Sequence, residues 1–125
     1  MTIRIFIVED HSVVRNGYGL LLNREPDLAV CGAVASAGEA LTIIPTTQPD
    51  LILIDLSLPG MNGLALIAQL YKTQPTLPIL IVSGYERAAY SNRNLYPLPP
   101  NLKDYLLKDE VPQRLIATIR QVLAL

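Results

Sequence analysis

The sequence predicts an α/β protein built on a five-stranded parallel sheet with helices on both faces. Strand and helix patterns alternate five times along 125 residues, as consecutive βα units do. Two strand patterns, Leu51–Ile54 and Ile79–Val82, are wholly aliphatic, which is typical of strands buried on both faces. Half of the residues are hydrophobic, which agrees with burial of both faces of a sheet.

The five strands are predicted from short apolar runs bounded by turn residues. They lie at Ile3–Val8, Leu28–Val34, Leu51–Asp55, Ile79–Val82 and Tyr105–Leu107. The first, third and fourth are the most apolar, so we expect them in the middle of the sheet. The second is less uniformly aliphatic, and we expect it at an edge.

The first two helices follow the first two strands. An apolar stripe at helical spacing comprises Val14, Tyr18, Leu21 and Leu22, and it extends the first helix to about Asn23. Ser36 and Glu39 have the spacing of a capping box at the start of the second helix. We expect that helix to be short, because proline disrupts a helix interior and Pro45 lies within the pattern.

The remaining helices differ in how clearly the sequence marks them. Asn62 is the predicted N-cap of a third helix, whose apolar stripe comprises Leu64, Ile67, Leu70 and Tyr71. The stretch 87–95 has only a weak apolar stripe, so we expect an irregular fourth helix, and the proline-rich stretch 96–100 is predicted to be a loop. Pro112 fits the first turn of a closing helix with the stripe Leu115, Ile119, Val122 and Leu123.

Composition restricts the classes of partner. The formal net charge of −1 gives no reason to expect direct contact with nucleic acid or with an anionic membrane. The single cysteine, Cys31, excludes an internal disulfide, fits a reducing cytoplasm, and is interpreted as a small buried hydrophobic residue. Since no apolar run approaches the roughly 20 residues of a spanning helix, we expect one cytoplasmic domain that comprises residues 1–125.

Polar residues stand where four of the predicted strands end. They are Glu9, Asp10, Asp55, Ser83 and Lys108. Because the carboxyl ends of parallel strands meet at one edge of the sheet, these side chains should converge. Each alone is more simply explained as a cap, a turn or a surface residue, and the combination is what favours a site.

The expected chemistry is that of a phosphoryl group. Three close carboxylates repel one another unless a cation joins them, and Mg2+ prefers oxygen ligands. The Lys108 ammonium and the Ser83 hydroxyl suit phosphoryl oxygens. Two possibilities remain open from these residues: a carboxylate accepts the phosphoryl group covalently, or a phosphorylated small molecule is bound.

The chain resembles the receiver domain of two-component response regulators over essentially its whole length. The resemblance rests on Glu9-Asp10, on Asp55 with the sequence Leu-Pro-Gly-Met-Asn-Gly at 58–63, on Ser83-Gly84, and on Tyr105 to Lys108. Further matching segments, at 9–15, 25–27 and 105–109, resemble the subfamily that usually carries a LuxR-type helix-turn-helix effector domain. The resemblance implies a flavodoxin-like, doubly wound (βα)5 fold of strand order 2-1-3-4-5.

The resemblance also implies roles for individual residues. Asp55 would accept the phosphoryl group, and Glu9, Asp10, Asp55 and the backbone carbonyl of Ser57 would hold Mg2+. Lys108 and Ser83 would bind the phosphoryl group. Ser83 and Tyr105 would form the switch that repacks once Asp55 is phosphorylated.

Two further positions are predicted to tune dephosphorylation. Ser57 and Tyr85 stand two residues after the phospho-acceptor and the switch serine, on the path of attacking water. We expect the bulk of Tyr85 to slow hydrolysis of the phosphoryl group.

The implied partners are a histidine kinase or a phosphotransfer protein, and a homodimer fits the same class. Any DNA contact would belong to a separate effector domain, and no membrane is expected. An enzyme of the aspartyl-phosphate hydrolase class is disfavoured, because Ser57 stands where such an enzyme needs a second acid. We therefore expect catalysis only of the chain's own phosphorylation and dephosphorylation.

Two features of the sequence depart from the pattern of the receiver family. The interval from Ser83 to Lys108 is longer than usual, and prolines at 97–100 with Lys103-Asp104 replace the expected glycine-containing turn. These departures are the only support for an alternative function, an atypical receiver that acts as a phosphorylation-independent interaction module. His11, beside the acidic pair, is interpreted as an exposed residue at the start of the first helix rather than a ligand, because Mg2+ disfavours imidazole.

Overall fold

The computed structural model describes residues 2–56, 63–84 and 99–124. Its strands are β1 (Ile3–Val8), β2 (Leu28–Val34), β3 (Leu51–Asp55), β4 (Ile79–Ser83) and β5 (Leu102–Leu107). Its helices are α1 (Ser12–Asn23), α2 (Ala37–Thr47), α3 (Gly63–Thr73) and, at the C-terminal end, α4 (Val111–Val122). A single 3-10 turn, Lys108–Glu110, joins β5 to α4.

The strands form one parallel sheet of order β2-β1-β3-β4-β5. This confirms the doubly wound α/β fold, the strand order and the edge position of β2. β3 and β4 are buried along their whole length, as their aliphatic sequences predict.

Strand alternation divides the core into two layers. Phe6, Ile52 and Ile54 pack on the face covered by α2 and α3. Ile7 and Leu53 pack on the opposite face, covered by α1 and α4. Because side chains alternate along a strand, Glu9 and Asp55 continue the face of Ile7 and Leu53, beneath α1 and α4.

The prediction that Pro45 shortens α2 is wrong. The helix runs from Ala37 to Thr47 and contains Pro45. The proline lies in its last turn, where the loss of one N–H affects one hydrogen bond, and the Thr46 and Thr47 hydroxyls donate to the carbonyls of Ile43 and Ile44. At the other end, Ser36 is the N-cap and its hydroxyl accepts from the Glu39 N–H, which is one half of the predicted capping box.

Two further expectations need correction. β5 begins at Leu102 rather than Tyr105, so Lys103 and Asp104 belong to the strand and not to the turn before it. Because β5 is an edge strand, an exposed lysine is readily accommodated there. Tyr71 is 39% exposed, and Leu66 joins the buried stripe of α3 instead.

The closing helix is confirmed, and some other predicted elements fall outside the described residues. Pro112 stands in the first turn of α4, with Leu115 and Ile119 fully buried. Asn62, the irregular helix at 87–95 and most of the loop at 96–100 lie outside the described residues.

Candidate functional site

Two buried carboxylates lie side by side at the carboxyl ends of the central strands. Val8 of β1 pairs with Ile54 of β3, so Glu9 and Asp55 are the next residues of neighbouring strands. Glu9 is fully buried and Asp55 is 2% exposed. Charged groups are seldom buried to this extent unless they are paired or hold a metal, which indicates a functional site.

Asp10 and His11 complete an acidic cluster around these two residues. One ligand atom from each of Glu9, Asp10, His11 and Asp55 lies within 4.8 Å of the others. Glu9 Oε2 is buried and accepts no hydrogen bond from any described residue, so it is available for coordination. The three carboxylates are hard oxygen donors, and the cluster could therefore bind a metal ion.

His11 lies where the sequence predicts it, at the N-cap of α1, with 64% of its side chain exposed. Its Nδ1 atom is 3.1 Å from Glu9 Oε1 and 3.2 Å from Asp10 Oδ1. The sequence did not predict these contacts. They place the imidazole at the mouth of the cluster.

Lys108 reaches the cluster from the first position of the 3-10 turn, directly after β5. Its Nζ atom lies 3.4 Å from Glu9 Oε1 and 3.5 Å from Asp55 Oδ2, and 30% of its side chain is exposed. The turn that carries it is fixed by Glu110, whose carboxylate accepts from the Leu107 N–H at 2.9 Å and from Arg114 at 2.7 Å. These two bonds hold the pKa of Glu110 below its usual range, and the bond from the Leu107 N–H has the larger effect.

The carboxylates of the site repel one another, and Lys108 balances only part of their charge. Burial, followed by the charge of Asp55, raises the pKa of Glu9, while His11 and Lys108 act in the opposite direction. Burial acts to lower the pKa of Lys108, but the charges of Asp55 and Glu9 outweigh it and raise that pKa above its usual value. An ammonium partly neutralises the carboxylates, and negative charge remains for a metal ion.

Ser83 and Tyr105 lie on the strands next to Asp55. Ser83 is fully buried at the end of β4, and Tyr105 of β5 is half-buried against the core layer beneath α2 and α3. Ser83 pairs with Leu107, and Tyr105 pairs with Ile81. Since residues two apart along a strand share a face, Ser83 and Tyr105 lie on the same face of the sheet.

The structure thus brings Glu9, Asp10, Asp55 and Lys108 together, with Ser83 at the neighbouring strand end. Ser57 and Tyr85 lie outside the described residues.

Sequence reasoning missed two residues that support the site. The Arg15 guanidinium donates to the Glu9 carbonyl at 2.8 Å and fixes the backbone there. Gly63 begins α3 so close to β3 that a Cβ atom would lie 2.6 Å from Leu56 Cα and 2.7 Å from the Asp55 carbonyl oxygen. Its place at the end of the Pro- and Gly-containing sequence 58–63 was the available signal, because glycine often marks such a close approach.

Together, the fold and the site define an α/β protein with an acidic, metal-binding type of site at the carboxyl ends of its parallel strands. Residues 5–120 match the family model described as the response regulator receiver domain, and the chain belongs to this family.

Known relatives agree with that assignment. The chain is 37% identical over 120 residues to the uncharacterized transcriptional regulatory protein YhcZ of Bacillus subtilis, covering 95% of this chain and 54% of that protein. It is 31% identical over 122 residues to the nitrate/nitrite response regulator protein NarL of Escherichia coli, covering 96% of this chain and 54% of that protein. The chain therefore spans about half the length of these relatives.

A solved structure supports the same family. A two-component response regulator of the LuxR family from Aurantimonas superposes with a TM-score of 0.86 at 31% identity, covering 99% of this chain and 86% of that one. Within the described part of the chain, no helix has the length and apolar character needed to cross a membrane.

Proposed function

We propose that this chain accepts a phosphoryl group on Asp55 from a phosphohistidine of a histidine kinase or a phosphotransfer protein. The observation that carries the proposal is the Asp55 carboxylate, which is 2% exposed and lies 3.5 Å from the Lys108 ammonium within the acidic cluster. A buried carboxylate with a cation beside it and a metal-binding set around it is arranged to receive a dianionic group.

The transfer is a displacement at phosphorus. A carboxylate oxygen of Asp55 forms a bond to phosphorus, and the P–N bond to the donor imidazole breaks. The electron pair of that bond returns to the imidazole nitrogen, and Asp55 becomes an acyl phosphate. Lys108 binds a phosphoryl oxygen and stabilises the charge that spreads over the transferring group.

The proposed cofactor is Mg2+, held by Glu9, Asp10 and Asp55 and by the Ser57 carbonyl. When bound, it would offset the negative charge of the phosphoryl oxygens. The three carboxylates suit a hard divalent ion, and the buried Glu9 Oε2 atom has no described partner to give up on binding.

Ser83 and Tyr105 are the proposed switch. Ser83 follows Val82, which pairs with Asp55, so Ser83 lies at the same edge of the sheet as the acceptor. We propose that its hydroxyl turns to bind a phosphoryl oxygen after transfer. Tyr105 lies on the same face of the sheet as Ser83 and would repack when Ser83 moves. We keep Ser57 and Tyr85 as residues proposed to tune the lifetime of the acyl phosphate.

The proposed output is control of transcription in the cytoplasm. Relatives at 31–37% identity are transcriptional or nitrate/nitrite regulators about twice as long as this chain. DNA contact would be made by a separate effector domain, and homodimer formation by the receiver is compatible with this role. The proposal includes no catalysis beyond the chain's own phosphorylation and dephosphorylation.

Acetyl phosphate provides a direct test, since it can replace the kinase as a phosphoryl donor. The chain is incubated with acetyl phosphate and Mg2+, and the intact mass is measured for wild type, Asp55→Asn and the exposed control Asp109→Asn. We expect one phosphoryl adduct on wild type and on the control, and none on Asp55→Asn. Absence of an adduct on wild type under all conditions would overturn the proposal and favour a phosphorylation-independent interaction module.

A further inference from the structure

The Tyr18 hydroxyl is a buried polar group that the site described so far does not use. Tyr18 is 7% exposed and belongs to the core layer beneath α1 and α4. Its oxygen is buried and has no hydrogen-bond partner among the described residues. Because an unpaired buried hydroxyl costs free energy that phenylalanine would avoid, the oxygen calls for an explanation.

The direction of α1 brings this hydroxyl towards the acidic cluster. Helical side chains tilt towards the N-terminus of their helix, and α1 begins at Ser12, directly beyond the end of β1. Ile7 and Leu53 belong to the same core layer as Tyr18, and Glu9 and Asp55 continue that face. The Tyr18 ring also lines one groove with Lys108.

Electrostatics supports the same placement. Burial above all, and then the charges of Glu9 and Asp55, raise the pKa of Tyr18 well above its usual value. A tyrosine phenol is already protonated at neutral pH, so this one is a hydrogen-bond donor close to two carboxylates.

Glu9 offers the matching acceptor. Its Oε1 atom contacts Lys108 and His11, whereas its buried Oε2 atom accepts no hydrogen bond from the described residues. We propose that Tyr18 is a positioning residue of the metal site: its phenol donates a hydrogen bond to the Glu9 carboxylate when Glu9 turns to coordinate a divalent cation.

This inference rests on the proposed function, because it concerns the Mg2+ site of that function. Lys108 and His11 hold Glu9 Oε1 in the present arrangement, whereas Oε2 has no described partner. Coordination through Oε2 would turn the carboxylate, and the second lone pair of Oε2 would accept the Tyr18 bond. The Tyr18 bond would then fix the carboxylate angle. Hydrogen bonds to metal ligands typically contribute about 10- to 100-fold in metal affinity.

The test compares Tyr18→Phe with the control Tyr71→Phe, which removes the hydroxyl of an exposed tyrosine on α3. Mg2+ affinity is measured by isothermal titration calorimetry, and unfolding by urea is followed without metal. We expect Tyr18→Phe to bind Mg2+ about 10-fold more weakly. Its metal-free stability should be unchanged or higher, because the variant removes an unpaired hydroxyl. Tyr71→Phe should match wild type in both measurements.

A spectroscopic measurement on wild type supplements the variants. Hydrogen bonding of a phenol to a carboxylate shifts tyrosine absorption to longer wavelength, so Mg2+ should produce a red-shifted difference spectrum. Wild type and Tyr71→Phe should show this shift, and Tyr18→Phe should lack it.

The outcomes separate this inference from the proposed function. Wild-type Mg2+ affinity in Tyr18→Phe, a loss of its metal-free stability, or no spectral shift in Mg2+-loaded wild type would overturn the role of Tyr18 alone. Failure of wild type to bind Mg2+ at all would overturn both.

Discussion

Replacement of Lys108 by methionine should destabilise the metal-free domain, and Mg2+ should largely restore it. Lys108 is the cation that faces Glu9 and Asp55 among the described residues, at 3.4 and 3.5 Å. Lys108→Met keeps the aliphatic stem and removes only the ammonium. Three carboxylates would then share the site without an ammonium group between Glu9 and Asp55.

The distances set the magnitude. At an effective dielectric constant of about 20, each of the two contacts is worth roughly 5 kcal/mol of attraction. Desolvation of the ammonium and the 30% exposure of the side chain offset much of this. Proton uptake by Glu9 limits the remaining cost, so we expect a loss of about 2–4 kcal/mol in the free energy of unfolding near pH 7.5.

Urea unfolding monitored by circular dichroism measures this loss, with and without saturating MgCl2. The matched control is Lys103→Met, which replaces an exposed lysine of β5, the strand that precedes Lys108. Mg2+ should narrow the difference between the two variants to about 1 kcal/mol or less, because bound cation replaces the missing charge. If both variants unfold at the same urea concentration without metal, the electrostatic account of the site is incorrect.

Two other perturbations test the backbone and the charge of the site. Gly63→Ala should lower the free energy of unfolding by about 1–3 kcal/mol and slow phosphorylation, because the new methyl group would press on the backbone that carries Asp55. The control is Gly17→Ala in α1, where the space is open and the substitution should stabilise the domain by up to about 1 kcal/mol. Equal effects of the two substitutions in thermal unfolding would contradict this reasoning. Glu9→Gln should be more stable than wild type without metal at neutral pH. The folded state raises the pKa of Glu9, so the Glu9 contribution is favourable below its ordinary pKa and is lost as pH rises through the raised value. The advantage of Glu9→Gln in urea unfolding should therefore shrink as the pH falls, and an advantage that grows towards acid pH would contradict the direction of the shift.

Much of the fold and the position of the site could be predicted from local patterns. Largely apolar runs identified β1, β3 and β4 as central, because strands buried on both faces carry few polar residues; the exposed Arg4 of β1 is the exception. Glu9, Asp55 and Lys108 could be expected to meet, because parallel strands end at the same edge of a sheet. That inference needs only the strand ends and the direction of the strands.

Predictions failed where hydrogen bonds in the folded chain, local or between strands, outweigh the propensity of a single residue. Proline disfavours helix interiors, but Pro45 is tolerated in the last turn of α2, where hydroxyls satisfy nearby carbonyls. Lys103 and Asp104 look like turn residues, but pairing with β4 extends the edge strand through them. Propensity describes a residue in isolation, and tertiary hydrogen bonds can outweigh it.

The sequence by itself determined the parallel α/β sheet and the set of charged residues at its carboxyl edge, because hydrophobic periodicity specifies which residues are buried and where strands end. Only the tertiary structure decided that Lys108 bridges Glu9 and Asp55, that Gly63 must lack a side chain and that the buried Tyr18 hydroxyl has no hydrogen-bond partner in the described part of the chain. Each of these depends on the distance between different elements of the fold, and those distances are set by packing rather than by periodicity.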